Sequence, residues 1–151
     1  MNQSIDTDNP LESPEILDQL KKLVQLELAG VIRYSHYALM VSGPNRIPQV
    51  TFFKQQATES LDHAQRAGEI LTGLGGHPEM KAVQLDETHR HDMKTILEES
   101  YAHERQAIAM YTDLAKSAAG RSVLLEEFAR SMVATEEEHL LELRKMLRDL
   151  E

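Results

Sequence analysis

Apolar residues recur at every third or fourth position in four long segments of the chain, which is the spacing of an α-helix with one buried face. The first helix is predicted to start with Ser13 as its cap, Pro14 at a position that needs no hydrogen-bond donor, and Glu15 near the positive end of the helix dipole. The Ser-Gly-Pro sequence at residues 42–44 predicts its end.

Three further helices are predicted: residues 49–74, a third from Asp86 or Thr88 to 118, and a fourth from Ser122 to about 149. Residues 75–86 have the composition of a loop, and the histidine-rich sequence that follows leaves the start of the third helix poorly defined. No segment alternates apolar and polar residues over the length of a strand. The pattern therefore predicts an all-α four-helix bundle with a longer crossover between helices two and three.

Each predicted helix has a stripe of residues that should be buried in the bundle. The predicted stripes are Ile16, Leu20, Leu23, Glu27, Val31, Tyr34, Ala38 and Val41; Phe53, Ala57, Leu61, Ala64, Ala67 and Leu71; Met93, Ile96, Leu97, Glu104, Ile108, Tyr111 and Leu114; and Leu125, Phe128, Met132, Leu143, Met146 and Leu150. We expect one bundle domain over residues 13–151 and a flexible tail at 1–12, which has little to bury.

Composition excludes several classes of protein. The chain of 151 residues has no cysteine, so disulfides, thiolate zinc sites and cysteine-ligated iron centres are excluded, and a reducing cytoplasm is the expected compartment. The polar, acidic N-terminal sequence is unlike a signal or transit peptide, and no segment is apolar enough to span a membrane. A net charge of -9 argues against nucleic acids and anionic membranes as partners and is compatible with cations.

Charged residues interrupt the buried stripes in a repeated order. Glu136 and His139 project within about 60° of each other on the fourth helix. Glu27 precedes His63 by 36 residues and Glu104 precedes His139 by 35, so each half of the chain has a helix with an inward Glu and then a helix with an inward His. A bare carboxylate in a core needs a cation, a proton or a hydrogen-bond partner, because burial costs it hydration. We therefore predict a metal site, although a buried Glu or His can also be a polar residue that sets helix register.

The two halves differ at one position. Three residues before His63 stands Ser60, where the fourth helix has Glu136. The nearest acid, Glu59, is about 40° from His63 around the helix. It is interpreted either as a metal ligand, or as an edge carboxylate or a salt-bridge partner of Arg66.

Other candidate residues have secondary roles. Tyr34 and Tyr111 each follow a buried Glu by seven residues, which suggests hydrogen bonds to the ligands more than redox participation. His36, His77, His89, His91 and His103 are predicted to be non-ligands. Oxygen and imidazole ligands without sulfur favour iron or manganese, and zinc is also compatible.

These residues as a set resemble the ferritin-like superfamily, and bacterioferritin most closely. The resemblance covers residues 16–147 and rests on Glu27 with Tyr34, the His63-Ala64 pair before the GGHP turn, Glu104, and the EEEH sequence ending at His139. It implies a di-iron carboxylate site in which Glu27, His63, Glu104 and His139 bind two iron ions and Glu136 bridges them.

This sequence also differs from the bacterioferritin pattern at several positions. The second bridging acid of the family falls on Ser60, and the methionine that binds haem in bacterioferritins falls on Leu61, so no haem is expected. Because the sequence ends 12 residues after His139, we expect no fifth helix of the kind that storage cages use. Ferritin-like bundles commonly pair, and outer apolar residues such as Ile32, Leu39 and Leu141 can serve a homodimer or larger homo-oligomer.

Three functions are compatible with this sequence. The first is a ferroxidase-type oxidoreductase for iron storage or detoxification, which binds Fe(II) and passes electrons to dioxygen or peroxide. The second is a non-catalytic metal-binding or structural bundle with a degenerate site. The third is a peroxidase similar to rubrerythrin, which would need a separate electron donor because this chain lacks a cysteine-bound iron module.

Overall fold

The computed structural model describes residues 13–150, which form four α-helices and a short 3-10 helix. They are α1 (Pro14–Met40), α2 (Arg46–Gly73), α3 (Met93–Ala118), α4 (Val123–Leu147) and the 3-10 helix Arg148–Leu150. No strand occurs in this range, so the predicted all-α four-helix bundle is confirmed. No helix within it is long and apolar enough to cross a membrane. The predicted tail at residues 1–12 lies outside the described residues.

Two of the predicted helix starts were wrong. Helix α2 begins at Arg46, three residues before the predicted start, and includes Pro48 in its first turn. A proline is tolerated there because the first backbone N–H groups of a helix have no partner within it. Helix α3 begins at Met93, later than either predicted start, because Asp92 caps it: its Oδ2 accepts hydrogen bonds from the Thr95 backbone N–H at 3.0 Å and from the Thr95 hydroxyl at 2.9 Å.

The chain direction follows from which residues share a core cluster. The start of α1 packs with the end of α2, the end of α3 and the start of α4, and the opposite ends of these helices meet in a second cluster. Helices α2 and α3 therefore run in the same direction, and the chain must return along the whole bundle between them. The crossover, residues 74–92, does so along α1, where the Val83 N–H donates to the Gln25 carbonyl at 3.1 Å.

The two apolar clusters lie at opposite ends of the bundle, with a polar layer between them. One cluster includes Leu20, Leu71, Leu114 and Leu125. The other includes Tyr37, Phe53, Ile96, Leu97 and Leu143. Because both ends are closed by packed side chains, polar groups in the middle are separated from bulk water along the bundle axis.

Two residues predicted to be buried are exposed. Leu61 is 41% exposed, because the inner face of α2 is instead formed by Gln56, Ser60 and His63 together with apolar residues. Leu61 lies about 100° away from Ser60 around the helix. Leu150 is 40% exposed, because the α-helix ends at Leu147.

Helix α1 packs closely against α2 and α3 at Gly30. A Cβ atom at this position would lie 2.8 Å from Ser60 Oγ, closer than real Cβ atoms come, and 3.1 Å from His103 Nε2, which is a tight contact. Gly30 therefore permits the close approach of α1 to α2 and α3 beside the polar layer.

Gly30→Ala is expected to destabilise the fold by roughly 1–2 kcal/mol, because overpacking outweighs the better helix propensity of alanine. Gly68→Ala is the matched control, since its new Cβ would meet only Val24 Cγ2, at 3.9 Å. The control is expected to stabilise by roughly 0.5–1 kcal/mol. Urea unfolding of both variants measures this difference, and equal stabilisation by the two substitutions would contradict the close approach.

Candidate metal centre

Each of the four helices contributes a carboxylate or an imidazole to the polar layer. Glu27 on α1, His63 on α2, Glu104 on α3 and Glu136 on α4 are each 6% exposed or less. They lie on the same stripes as the apolar core residues of their helices, so the packing that buries leucine and phenylalanine also buries these groups. The inward direction predicted for them is confirmed.

These side chains form two groups with one shared member. Glu27, His63 and Glu136 offer ligand atoms within 4.8 Å of one another, and so do Glu104, Glu136 and His139. Glu136 belongs to both groups because it lies between the two histidines: its Oε1 is 3.1 Å from His63 Nδ1 and its Oε2 is 3.0 Å from His139 Nδ1. The arrangement can hold two cations with Glu136 between them.

The donor atoms fit such cations. His63 Nδ1 is buried and makes no well-directed hydrogen bond, although Glu136 Oε1 is 3.1 Å away and Glu27 Oε1 is 3.6 Å away. A buried ring nitrogen without a hydrogen-bond partner is costly unless something else satisfies it. Carboxylate oxygens and imidazole nitrogens without sulfur suit iron, manganese or zinc.

Two buried tyrosines hold the carboxylates in a crossed arrangement. The Tyr34 hydroxyl of α1 donates a hydrogen bond to Glu104 of α3, and the Tyr111 hydroxyl of α3 donates to Glu27 Oε1 of α1 at 2.8 Å. Each tyrosine therefore contacts the carboxylate of the opposite helix and not the one seven residues before it. The two hydrogen bonds tie α1 to α3 at the polar layer and fix the orientation of both acids.

The close packing of these groups shifts their pKa values in opposite directions. Burial raises the pKa of Glu27 and, with the repulsion of Glu136, raises the pKa of Glu104 well above its usual range. Burial also acts to raise the pKa of Glu136, but its interactions with Glu104, His139 and His63 outweigh the effect of burial and lower the pKa. Glu136 therefore holds its negative charge more readily than Glu27 or Glu104 does.

The imidazoles respond to the same carboxylates. Burial lowers the pKa of His63, but Glu136 and Glu27 more than offset this effect and raise it to about 10. For His139, burial likewise opposes protonation, and Glu136 and Glu59 raise the pKa above its ordinary value. Without a cation, protons on these rings therefore compensate the buried negative charge.

Glu59 lies outside both groups, on the far side of His139. Its Oε2 is 2.7 Å from His139 Nε2, while Nδ1 of the same ring faces Glu136. Its side chain is 33% exposed, whereas Ser60 is buried at 6%. The guanidinium of Arg66 lies over the Phe128 ring and is not paired with Glu59. The Glu59 carboxylate therefore contacts the outer nitrogen of His139, the one that faces away from Glu136.

His103, which lies outside the predicted buried stripe of the third helix, is buried. It is 6% exposed, and its ring packs edge-on against Tyr34 with the ring centroids 5.9 Å apart. Burial and the nearby Arg33 lower its pKa to about 4, so it is neutral at physiological pH. Its position between buried Ser100 and Ala107, three and four residues away, was a periodic signal that sequence analysis did not use.

A family profile described as "Ferritin-like domain" matches residues 17–151. The chain belongs to the ferritin-like family. The match covers most of the chain, and the fold and inward carboxylates described above agree with it. The resemblance inferred from the spacing of glutamates and histidines is thereby confirmed.

Individual relatives are similar at low sequence identity. The bacterial non-heme ferritin of Escherichia coli O6:H1 is 25% identical over 105 residues, which are 70% of this chain and 64% of that relative. The curated ferritins of Escherichia coli O157:H7 and Shigella flexneri match to the same extent. The chain thus spans 64% of the length of the curated relatives that it matches.

Solved structures agree over more of the chain. A ferritin-like, diiron-carboxylate protein from Bacillus anthracis has a TM-score of 0.83 at 27% identity, with 88% of this chain and 95% of that one covered. The dodecameric thioferritin, a bacterioferritin-related protein from Bacteroides fragilis, has a TM-score of 0.84 at 27% identity, with 90% and 86% covered. Within this family, carboxylate and histidine groups such as those found here are expected to bind iron.

The metal-free protein is expected to lose stability as pH rises from about 6.5 to 10. His63 has a folded-state pKa of about 10 against 6.5 ordinarily, so its stabilising contribution is fully present below pH 6.5 and is lost as pH passes its folded pKa. Thermal unfolding of chelator-treated protein across this range measures the loss.

His63→Gln is expected to flatten this pH dependence. His77→Gln provides the control, because His77 is exposed and lies in the crossover. Identical pH profiles for wild type and His63→Gln would contradict the proton-compensated cluster.

Proposed function

We propose that this chain is a ferroxidase that binds two Fe(II) ions as substrate and oxidises them for iron storage or detoxification. Glu27 and His63 would bind one iron, Glu104 and His139 the other, and Glu136 would bridge them. The observation that carries this proposal is the position of Glu136, whose two oxygens face the Nδ1 atoms of two different histidines. Membership of the ferritin-like family supports it.

The proposed reaction removes one electron from each iron. Two Fe(II) become two Fe(III), and the two electrons with two protons reduce dioxygen to hydrogen peroxide; if peroxide is the oxidant, the same electrons and protons reduce it to two waters. The ligands must lose their protons before they bind iron, so His63 and Glu104, whose pKa values are raised, release protons as iron enters. The protein supplies charge and geometry, and the iron supplies the redox chemistry.

The remaining polar residues position these ligands. Tyr34 and Tyr111 hold the carboxylates of Glu104 and Glu27, and Glu59 holds the outer nitrogen of His139. We assign the tyrosines to orientation of the ligands. Since Ser60 stands where a second bridging acid is expected, the proposed site has one bridging carboxylate, and its two metal positions differ in their surroundings.

The proposal includes a homo-oligomer and a cytoplasmic location. Ile32, Leu39 and Leu141 are each more than half exposed and are available for a homodimer or larger homo-oligomer. The solved relative from Bacteroides fragilis is a dodecamer, which supports oligomerisation here. A cytoplasmic role in iron homeostasis fits the lack of cysteine.

Glu136→Ala is expected to reduce the oxidation of Fe(II) to the rate seen in buffer, because it removes the one acid that faces both histidines. Stopped-flow absorbance after mixing with Fe(II) and either dioxygen or peroxide measures the ferric product. Glu137→Ala is the matched control, since Glu137 is the adjacent acid and is exposed. Oxidation at the buffer rate by wild type, or at the wild-type rate by Glu136→Ala, would refute the proposal.

Glu59→Gln is expected to slow oxidation by roughly 10- to 100-fold while two irons still bind, because an orienting group affects the ligand without being one. Anomalous scattering at the iron edge from Fe(II)-soaked crystals counts the metals in wild type and variant. Loss of the iron beside His139 in the variant would instead make Glu59 a ligand.

One observation favours a second candidate function. The replacement of the expected acid by Ser60 removes a negative charge from the site, which can leave a centre that binds metal without turnover. In that case the irons would be seen in crystals while stopped-flow oxidation stays at the rate of buffer. The two measurements together separate a ferroxidase from a non-catalytic metal-binding bundle.

A further inference from the structure

A second group of metal-ligating side chains lies where the crossover meets α1. His36 Nε2 is 3.0 Å from Glu87 Oε2, and His91 Nε2 is 3.6 Å from Glu87 Oε1. The ligand atoms of these three residues lie within 4.8 Å of one another. His36 follows Glu27 by nine residues, so this group is roughly 13 Å further along α1 than the buried centre.

The two histidines face the same carboxylate in a geometry unlike that of a hydrogen bond. Both Nε2 atoms are hidden from solvent and lack a hydrogen-bond partner within the described chain. The two rings are edge-to-face, with centroids 5.4 Å apart. The two imidazole nitrogens thus point at one carboxylate but make no hydrogen bond to it. Ligands around a bound cation have this arrangement.

The backbone of the crossover is shaped to present Glu87 and His91. His89, between them, has a φ of +56°, a left-handed conformation that is uncommon for a residue other than glycine. Its backbone N–H donates to Glu87 Oε1 at 3.0 Å, which holds the carboxylate in place. The resulting turn brings His91 back to the same carboxylate.

Hydrogen bonds also connect this part of the crossover to α3 and, through Glu99, to α1. The Thr88 hydroxyl donates to Glu99 Oε1 of α3 at 2.7 Å, and Glu99 Oε2 accepts a hydrogen bond from Tyr37 of α1. Asp86 and Glu99 line the adjoining cleft and add negative charge to it, opposed by Arg33. A preorganised site with excess negative charge attracts cations.

We infer that His36, Glu87 and His91 form a second metal site, which takes a divalent first-row transition-metal ion. Two imidazoles and one carboxylate are a ligand set suited to Zn²⁺ and Fe²⁺, and they leave coordination positions for water. His36 and His91 were predicted to be non-ligands from their place outside the buried stripes. Their convergence depends on the path of the crossover, and the site stands independently of the proposed function at the buried centre.

The direct test is a zinc soak of crystals of the full chain, with diffraction recorded above and below the zinc edge. An anomalous peak is expected roughly 2.0–2.2 Å from His36 Nε2, His91 Nε2 and a Glu87 oxygen. A peak at the buried centre with none at this position would overturn the inference. Because the two positions are resolved separately, failure here leaves the proposed function untouched, and the reverse also holds.

A solution test uses equilibrium dialysis against Zn²⁺ with metal analysis per chain. His91→Asn is expected to bind one zinc fewer than wild type, while His89→Asn binds the same number. His89→Asn is the matched control because it removes a histidine from the same turn, and asparagine tolerates the left-handed backbone. An unchanged zinc content in His91→Asn, with circular dichroism showing an intact bundle, would overturn the inference.

Discussion

The burial of three carboxylates in the middle of the bundle is the constraint on which the rest of the structure depends. Glu27, Glu104 and Glu136 are each 4% exposed or less, and leaving such groups uncompensated would cost several kcal/mol each. Two tyrosines, two histidines and shared protons provide the compensation in the metal-free protein. A cation bound among these groups would replace those protons, because it would compensate the same buried negative charge.

The asymmetry of this layer follows from a single position on α2. Where the fourth helix has Glu136, the second has Ser60, and the small side chain allows α1 to approach α2 at Gly30 with His103 beside them. On α2 the negative charge lies instead on the adjacent residue, Glu59, whose carboxylate contacts the outer nitrogen of His139. One histidine is therefore oriented by a carboxylate from another helix, while Nδ1 of the other lies between two buried acids.

The crossover between α2 and α3 does more than connect the two helical pairs. It runs along α1, is held by backbone and side-chain hydrogen bonds, and places Glu87 and His91 beside His36. The bundle thus carries two separate groups of carboxylates and imidazoles whose donor atoms lie close enough together to suit a metal ion. One is buried between apolar clusters, and the other is partly exposed at the surface.

The sequence by itself determined the number of helices, the all-α fold and the inward direction of Glu27, His63, Glu104 and Glu136, because helical periodicity is a local property of the chain. The apolar pattern wrongly predicted that Leu61 is buried in α2. The buried face of this helix includes the polar residues Gln56 and Ser60, which a pattern of apolar residues does not identify. Only the tertiary structure decided which partners meet: Tyr34 with Glu104, Tyr111 with Glu27, and Glu59 with His139. These contacts join residues on different helices, and their geometry depends on how the helices pack and where the crossover runs, which no local periodicity encodes.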